Sequence, residues 1–128
     1  MIYNIGQSHW VLFHLVTSEA TLYAIDMYAK WQFVHEGHAG KFLKFLSTIL
    51  NEPAYLSYKV KIVTPKTDST LPAQQDGHSC GVFTAVLAYH IMKRAKIHFG
   101  QHNIKAWRAF MLHSVLSLAE HLPLPPPE

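Results

Sequence analysis

The chain has 128 residues, 49% of them hydrophobic and 15% charged, which is typical of one globular domain rather than of a disordered chain. Its formal net charge of +3 is too small, and its basic residues too scattered, to indicate nucleic acid binding. The single cysteine excludes an internal disulfide and any multi-cysteine zinc site, and it favours a reducing compartment. Because the N-terminal apolar stretch is too short to span a bilayer and no signal-peptide pattern is present, we expect an intracellular protein without a membrane partner.

Three strands are predicted from the distribution of β-branched and aromatic residues. His9–Val16 predicts a strand that is largely covered on both faces. A turn is predicted over Thr17–Ala20 and a second strand over Thr21–Tyr28, so that the pair forms a hairpin. In Leu56–Pro65, apolar residues alternate with Ser and Lys, which predicts a third strand with one exposed face.

Three helices are predicted from the spacing of apolar residues. The first covers Gly40–Glu52, and the second follows a polar loop over Lys66–Ser79. A third helix is predicted from an Asn103 cap to about Leu122. Its inward-facing residues are predicted to be Ile104, Trp107, Met111, Leu112, Val115 and Leu118. The proline-rich residues 123–128 predict an unpacked, disordered tail, and the whole pattern predicts an α+β domain with a small sheet.

The only cysteine lies in the sequence QQDGHSCG, where the polar loop meets the second helix. A helix N-terminus stabilises negative charge, so Cys80 in the first turn is a candidate thiolate nucleophile. Gly81 allows close approach to the backbone, and Gln74 offers an amide donor for an oxyanion beside the Cys80 backbone N–H. The alternative is that Cys80 is simply a small buried hydrophobic residue.

A nucleophilic cysteine needs a base and a group that orients the base. His9 is a candidate base because it opens the first strand after a polar segment. Asp26 stands among apolar residues in the second strand, where an unpaired carboxylate would be costly, so it is a candidate partner of His9. The alternatives are a surface histidine and a carboxylate that serves a structural ion pair or a loop.

Nine further histidines are scattered along the chain, including the pair in HEGH at His35 and His38. Zinc binding by histidines alone would need three or four of them to converge, and no spacing in the sequence indicates this. We therefore expect surface or core-edge histidines, and we predict no metal and no cofactor.

These motifs together resemble the catalytic core of the cysteine proteases specific for ubiquitin-like proteins, the deSUMOylating and deneddylating peptidases. In that family a strand carries His-Trp, a following strand ends in an aspartate, and a loop Q-x-N/D-G-x-x-C-G leads into the central helix. His9–Trp10, Asp26 and Gln74–Gly81 match these motifs in order. The C-terminal helix also resembles the family's, with Gln101 before it and Arg108 within it.

The resemblance implies a papain-like fold of the ubiquitin-like protease type and a role for each matching residue. Cys80 would be the nucleophile, His9 the general base, Asp26 the orienting group and Gln74 the oxyanion donor, while Trp10 would form a wall of the tunnel for a diglycine tail. The implied activity is cleavage of SUMO-like or related ubiquitin-like modifiers after Gly-Gly. The partners are those modifiers and their conjugates, the protein is expected to be a monomer, and the resemblance suggests the nucleus.

The chain departs from the family in two respects. Residues 1–122 correspond to only the C-terminal portion of the family's catalytic domain, without the elements that usually precede the catalytic strand. Met27 also replaces a serine that often follows the aspartate. A truncated, inactive remnant that folds or binds a modifier without turnover is therefore an alternative. An acyltransferase is a second one, which Trp10 and the glutamine-containing loop disfavour.

Overall fold

The computed structural model describes residues 1–28 and 35–119, which form a four-stranded sheet and three α-helices. The α+β class predicted from the sequence is observed. The strands are β1 (Ile2–Ile5), β2 (His9–Val16), β3 (Thr21–Ile25) and β4 (Lys59–Val63). The helices are α1 (His35–Ile49), α2 (Cys80–Met92) and α3 (Ile104–Ala119), with 3₁₀ turns over Thr17–Glu19, Pro53–Ser57 and Gln101–Asn103. Within these ranges no helix is both long and apolar enough to cross a membrane.

The sheet has the strand order β1-β2-β3-β4 and is mixed. The predicted hairpin is confirmed, because β2 pairs antiparallel with β3. β4 pairs parallel with β3 after a connection that contains α1. The sequence did not predict β1, a four-residue strand that pairs antiparallel with β2 at one edge of the sheet.

The second strand of the hairpin ends earlier than predicted, at Ile25 rather than Tyr28. The Asp26 backbone N–H still donates to the Val63 carbonyl at 2.9 Å. Its carboxylate, however, accepts from the backbone N–H of Tyr28 at 2.8 Å, which is the Asx-turn bond that aspartate uses to leave a strand. Asp26 therefore lies just past the end of β3 and not within it.

Apolar side chains cover both faces of the sheet, because successive residues of a strand point to opposite faces. Leu12 and Ile25 contribute to one buried cluster, which contains Phe83, Val86 and Leu87 of α2. The neighbouring strand residues face the other way into a second cluster with α1, formed by Ile5, Val11, Phe13, Leu22, Ala24, Ala39, Phe42 and Leu43. The central sheet thus fixes α1 on one side and α2 on the other.

Two helix predictions need correction. α1 begins at His35, five residues before the predicted start, because burial of His35 and Ala39 overrides the low helix propensity of the glycines in HEGHAG. α3 packs through Ile104, Trp107 and Met111, as predicted. Leu112, Val115 and Leu118, predicted to face inward, are each more than 60% exposed. The predicted tail at 123–128 lies outside the described residues.

Candidate active site

The edge of the sheet where β2 begins and β3 ends brings His9 and Asp26 together. The two strands are antiparallel, so the first residue of β2 and the residue after β3 meet at the same edge. His9 Nε2 lies 2.9 Å from Asp26 Oδ1, within hydrogen-bond distance. The predicted contact between these two side chains is therefore present in the structure. With Nε2 bonded to the carboxylate, Nδ1 is the ring nitrogen of His9 left for proton transfer.

Asp26 is a buried carboxylate, 1% exposed, with donors on both of its oxygens. Oδ1 accepts from His9 and from the backbone N–H of Tyr28. Oδ2 accepts from His35 Nε2 at 2.7 Å. Burial opposes ionisation, but the hydrogen bonds from His35, His9 and Tyr28 outweigh it and lower the pKa of Asp26 below its ordinary value. Asp26 therefore remains a carboxylate and an acceptor at neutral pH.

His35 is the site residue that the sequence did not predict. It was expected at the surface or at the core edge, whereas the structure buries it to 1% exposure. Since Nε2 lies against an ionised carboxylate, it donates the hydrogen bond to Asp26. The other ring nitrogen, Nδ1, is a buried polar atom without a hydrogen-bond partner in the described part of the chain. An unsatisfied buried polar atom costs roughly 1–3 kcal/mol, so this arrangement needs an explanation.

Cys80 is the first residue of α2, as the sequence predicted. The backbone N–H groups of the first helical turn have no acceptor within the helix, and with the helix dipole they favour negative charge at this end. The usual side-chain cap is absent, because the Ser79 hydroxyl donates to Asp76 at 2.7 Å instead. The first backbone N–H groups of α2 therefore have no side-chain cap.

Cys80 borders an open cleft of about 470 Å³. The cleft is lined by the loop before α2, the start of β2, and α3, with the residues Ser8, Trp10, Gly77, His78, Cys80, Gly81, Val82, Arg108 and Met111. Cys80 is itself buried, at 7% exposed, but it is one of the residues that line this cleft.

Trp10 forms one side of this cleft. Its ring is 41% exposed and packs on Gly81, where an added Cβ would lie 3.4 Å from Trp10 Cδ1. The Thr84 hydroxyl donates to the Trp10 carbonyl at 3.1 Å, which ties the beginning of β2 to α2. The position of the aromatic wall relative to the cysteine is therefore set by backbone and side-chain contacts together.

The loop before α2 is organised around Asp76. Its carboxylate accepts from the backbone N–H groups of His78 and Ser79, from the Ser79 hydroxyl and from the Gln101 amide. Partial burial opposes ionisation, but these hydrogen bonds outweigh it and hold the pKa of Asp76 well below its usual range. Gln101 also accepts from the Gln75 backbone N–H at 3.0 Å, and Arg108 donates to the Ser79 hydroxyl at 3.2 Å.

Gln74, the predicted oxyanion donor, is buried in the same loop. Its backbone N–H donates to the Met27 carbonyl at 2.9 Å, which joins the loop to the segment after Asp26. Its side-chain amide donates to the Asp76 carbonyl at 2.6 Å and contacts the Asp76 carboxylate at 3.4 Å. Both contacts direct the Gln74 amide at Asp76, and the second, at 3.4 Å, is long for an N–H···O hydrogen bond.

The hydrogen bonds of the His9 ring go to Asp26, and within residues 1–28 and 35–119 none is made to the Cys80 sulfur. Catalytic hydrogen bonds are often long without substrate and shorten only when the reactants are bound. His78 beside Cys80 is 80% exposed at its side chain, so it belongs to the rim. Across the same described ranges, no three His, Cys, Asp or Glu side chains converge in a geometry that would hold a metal ion.

Comparison with known proteins gives fold relatives but no sequence relatives. No protein-family model and no curated protein matches the sequence. Among solved structures, the C-terminal Ulp1 protease domain in complex with Smt3, the yeast ortholog of SUMO, matches with a TM-score of 0.74 and 18% identity. The match covers 92% of this chain and 51% of that one. Structures of SUMO protease Ulp1 with its catalytic cysteine oxidised to a sulfenic or a sulfonic acid give the same score and identity, over 52% of those chains.

The chain thus has the fold of the Ulp1 protease domain and spans about half of its length. This confirms the predicted fold class, a papain-like arrangement of the ubiquitin-like protease type with a small mixed sheet between helices. At 18% identity the match concerns the fold alone.

Proposed function

We propose that this chain carries the thiol-protease site of a peptidase that cleaves a SUMO-like or related ubiquitin-like modifier after its C-terminal Gly-Gly. The observation that carries this proposal is the 2.9 Å contact between His9 and Asp26, whose two carboxylate oxygens both accept hydrogen bonds. This contact lies at the end of the sheet next to the cleft that Cys80, the first residue of α2, also lines. The likeness of the fold to SUMO protease Ulp1 supports the same chemistry. Cys80 is the nucleophile, His9 the general base and then acid, and Asp26 holds the His9 ring.

The reaction begins when His9 Nδ1 accepts the Cys80 proton and the sulfur attacks the carbonyl carbon of the terminal glycine. The C–N bond then breaks, the leaving lysine amine takes the proton from His9, and a thioester remains on Cys80. Water gives a proton to His9 and its hydroxide attacks the thioester, which releases the glycine carboxylate and restores the thiol. Asp26 stays ionised throughout and stabilises the imidazolium without taking its proton.

The negative oxygen of each tetrahedral intermediate needs preorganised donors. The Cys80 backbone N–H at the start of α2 is one donor, since it has no acceptor within the helix. Gln74 supplies the second through its amide, when the substrate oxygen replaces the long contact to the Asp76 carboxylate. The bonds of Asp76 to Gln74 and Ser79 connect the two donor-bearing parts of the loop.

The proposed substrate class is supported by the aromatic side of the cleft and by the fold relative. Trp10 packs on Gly81 and lines the cleft together with Cys80. Two glycines have no side chains, so a diglycine segment can pass the Trp10 ring where bulkier residues would collide with it. The matching Ulp1 domain was solved with Smt3, the yeast ortholog of SUMO, which supports a SUMO-like partner here. We propose that the protein acts as a monomer inside the cell, in the nucleus or the cytoplasm, with no nucleic acid or membrane partner.

A covalent probe tests this proposal on the full chain. SUMO-type and other ubiquitin-like modifiers ending in a glycine vinyl sulfone are incubated with the protein, and a thioether adduct is measured by mass. We expect an adduct with at least one modifier in the wild-type protein and none in Cys80→Ser. If no modifier labels the folded wild-type protein, the peptidase assignment fails and the inactive remnant takes its place. Adduct formation that survives in Cys80→Ser would also refute it.

A further inference from the structure

We propose that His35 is a positioning residue of this site: its Nε2–H holds the second oxygen of Asp26 so that the first oxygen orients His9. This inference rests on the proposed function and adds a residue to it. The contact that motivates it is the 2.7 Å distance from His35 Nε2 to Asp26 Oδ2.

The geometry of Asp26 explains why a second histidine matters. A carboxylate can rotate about its Cβ–Cγ bond, and the bonds from His9 and Tyr28 both act on Oδ1. Without a donor on Oδ2, the carboxylate would have one buried oxygen unpaired and would be free to exchange its two oxygens. The His35 bond removes that freedom, because it fixes Oδ2 from the opposite side.

The state of His35 Nδ1 indicates that the fold keeps this residue for its donor. A residue selected only for packing would be apolar here, since His35 is 1% exposed. Its Nδ1 instead remains buried without a hydrogen-bond partner among the described residues. Within residues 1–28 and 35–119, the one hydrogen bond of the ring is the bond to Asp26. The fold thus tolerates the unsatisfied Nδ1 in order to keep the Nε2–H donor, and such costs are typical of functional positions.

His35 also comes from a different element than the other site residues. It is the first residue of α1, on the opposite side of the sheet from α2. The site is therefore held from both faces of the sheet, with Asp26 between two imidazole rings.

Alkylation of the single cysteine by iodoacetamide tests this role without any modifier. The rate constant at neutral pH is measured by mass for the folded full chain, with circular dichroism melting to confirm folding. His35→Gln and His35→Asn form a matched pair, because a glutamine amide nitrogen reaches the position of Nε2 and an asparagine amide does not. Removing a partner that orients a functional side chain commonly lowers the function of that side chain by about 10–100-fold. We expect the alkylation rate constant to fall by about 10-fold or more in His35→Asn and to stay within about 3-fold of the wild-type value in His35→Gln.

A double-mutant cycle with Asp26→Asn separates positioning from general destabilisation. If His35 acts through Asp26, adding His35→Asn to Asp26→Asn changes the alkylation rate little further. His38→Asn, in the same helix and bonded to Tyr3, is the control and should react at the wild-type rate. Wild-type reactivity in folded His35→Asn, equal losses in the Asn and Gln variants, or additive losses in the cycle would each overturn the inference. Reactivity that is unchanged in His9→Ala and Asp26→Asn would instead overturn the proposed function itself.

Discussion

Asp26 and Asp76 are both carboxylates surrounded by hydrogen-bond donors, but their donors belong to different kinds of group. Two of the three donors to Asp26 are imidazole rings, which can change protonation during a reaction. The hydrogen-bond donors to the Asp76 carboxylate are two backbone N–H groups, a hydroxyl and the amides of Gln101 and Gln74, none of which titrates near neutral pH. The exposed His78 ring lies 3.8 Å from Asp76, beyond hydrogen-bond distance. In the proposed mechanism Asp26 therefore orients the base, whereas Asp76 holds the shape of the loop before Cys80.

Among the variants at and around Asp26, removal of the proposed base His9 should have the largest effect on the labelling rate. We expect His9→Ala to abolish labelling by the modifier vinyl sulfone at neutral pH, a loss of about 10⁴-fold or more, because the thiol proton has no acceptor. The rate is measured by adduct mass, with His38→Ala as the control. Full-rate labelling of His9→Ala would show that another group is the base.

Asp26→Asn should have the next largest effect and should act on rate more than on folding. An asparagine can no longer stabilise the imidazolium or select the His9 tautomer, so we expect labelling to slow by about 10²–10⁴-fold. The measurement is the labelling rate of protein shown to be folded by its melting curve. A change of less than about 3-fold would remove Asp26 from the mechanism.

Asp76→Asn should affect the stability of the fold more than the labelling rate. Loss of the charge and of one acceptor weakens the bonds to His78, Ser79 and Gln101, so we expect a loss of about 1–3 kcal/mol in the free energy of unfolding. The labelling rate of the folded protein should fall by less than about 10-fold, because no proton-transfer group is removed. Urea unfolding measures the first quantity. Asp68→Asn, whose carboxylate accepts from Thr70 in its own turn, is the matched control.

A rate loss in Asp76→Asn as large as that in Asp26→Asn would contradict the division of roles between the two carboxylates.

Acid should weaken both networks, since hydrogen bonds lower the pKa of Asp26 and of Asp76 despite the opposing effect of burial. A carboxyl with a lowered folded-state pKa contributes stability above its unfolded pKa of about 3.9 and loses it as pH falls through the folded value. We expect the urea midpoint to fall most steeply below about pH 4. Asp76→Asn should weaken the dependence of the urea midpoint on pH. An unchanged pH dependence in that variant would contradict the lowered pKa of Asp76.

Gln101→Ala should give the smallest effect. It removes one donor to Asp76 and one acceptor of the Gln75 N–H, both at the loop surface, so we expect about 1 kcal/mol of destabilisation. His102→Ala, an exposed neighbour, is the control for the urea measurement. Equal destabilisation by both variants would show that Gln101 does not anchor the loop.

Local patterns in the sequence predicted much of this architecture. The strand His9–Val16 and the start of a helix at Cys80 are observed at the predicted residues, because alternation and turn residues act over short distances. The hairpin followed from the same signals and predicted that His9 and Asp26 meet. Each of these features is determined by residues that lie close together in the sequence.

The features that the sequence did not predict depend on contacts between distant residues. A histidine inside the core has the same sequence signal as one on the surface, so the burial of His35 was missed. One clue was available: a buried carboxylate has room for several donors, and His9 alone could not satisfy both oxygens of Asp26. Helical spacing likewise grouped Leu112, Val115 and Leu118 on one face of α3, but it could not tell whether anything covers that face.

The parallel pairing of β3 with β4 has a consequence for the order of events during folding. Asp26 is held at the sheet edge by the Val63 carbonyl, a partner that arrives only after α1 and its connection have been placed. Pairings between distant residues form slowly, because the chain entropy lost in closing the loop precedes any gain. Before that pairing forms, the bond between Asp26 and Val63 is absent, so under the proposed function we expect Cys80 to gain its reactivity only when the sheet is complete. Cysteine reactivity would then report, in a refolding experiment, the moment at which the last long-range strand pairing is made.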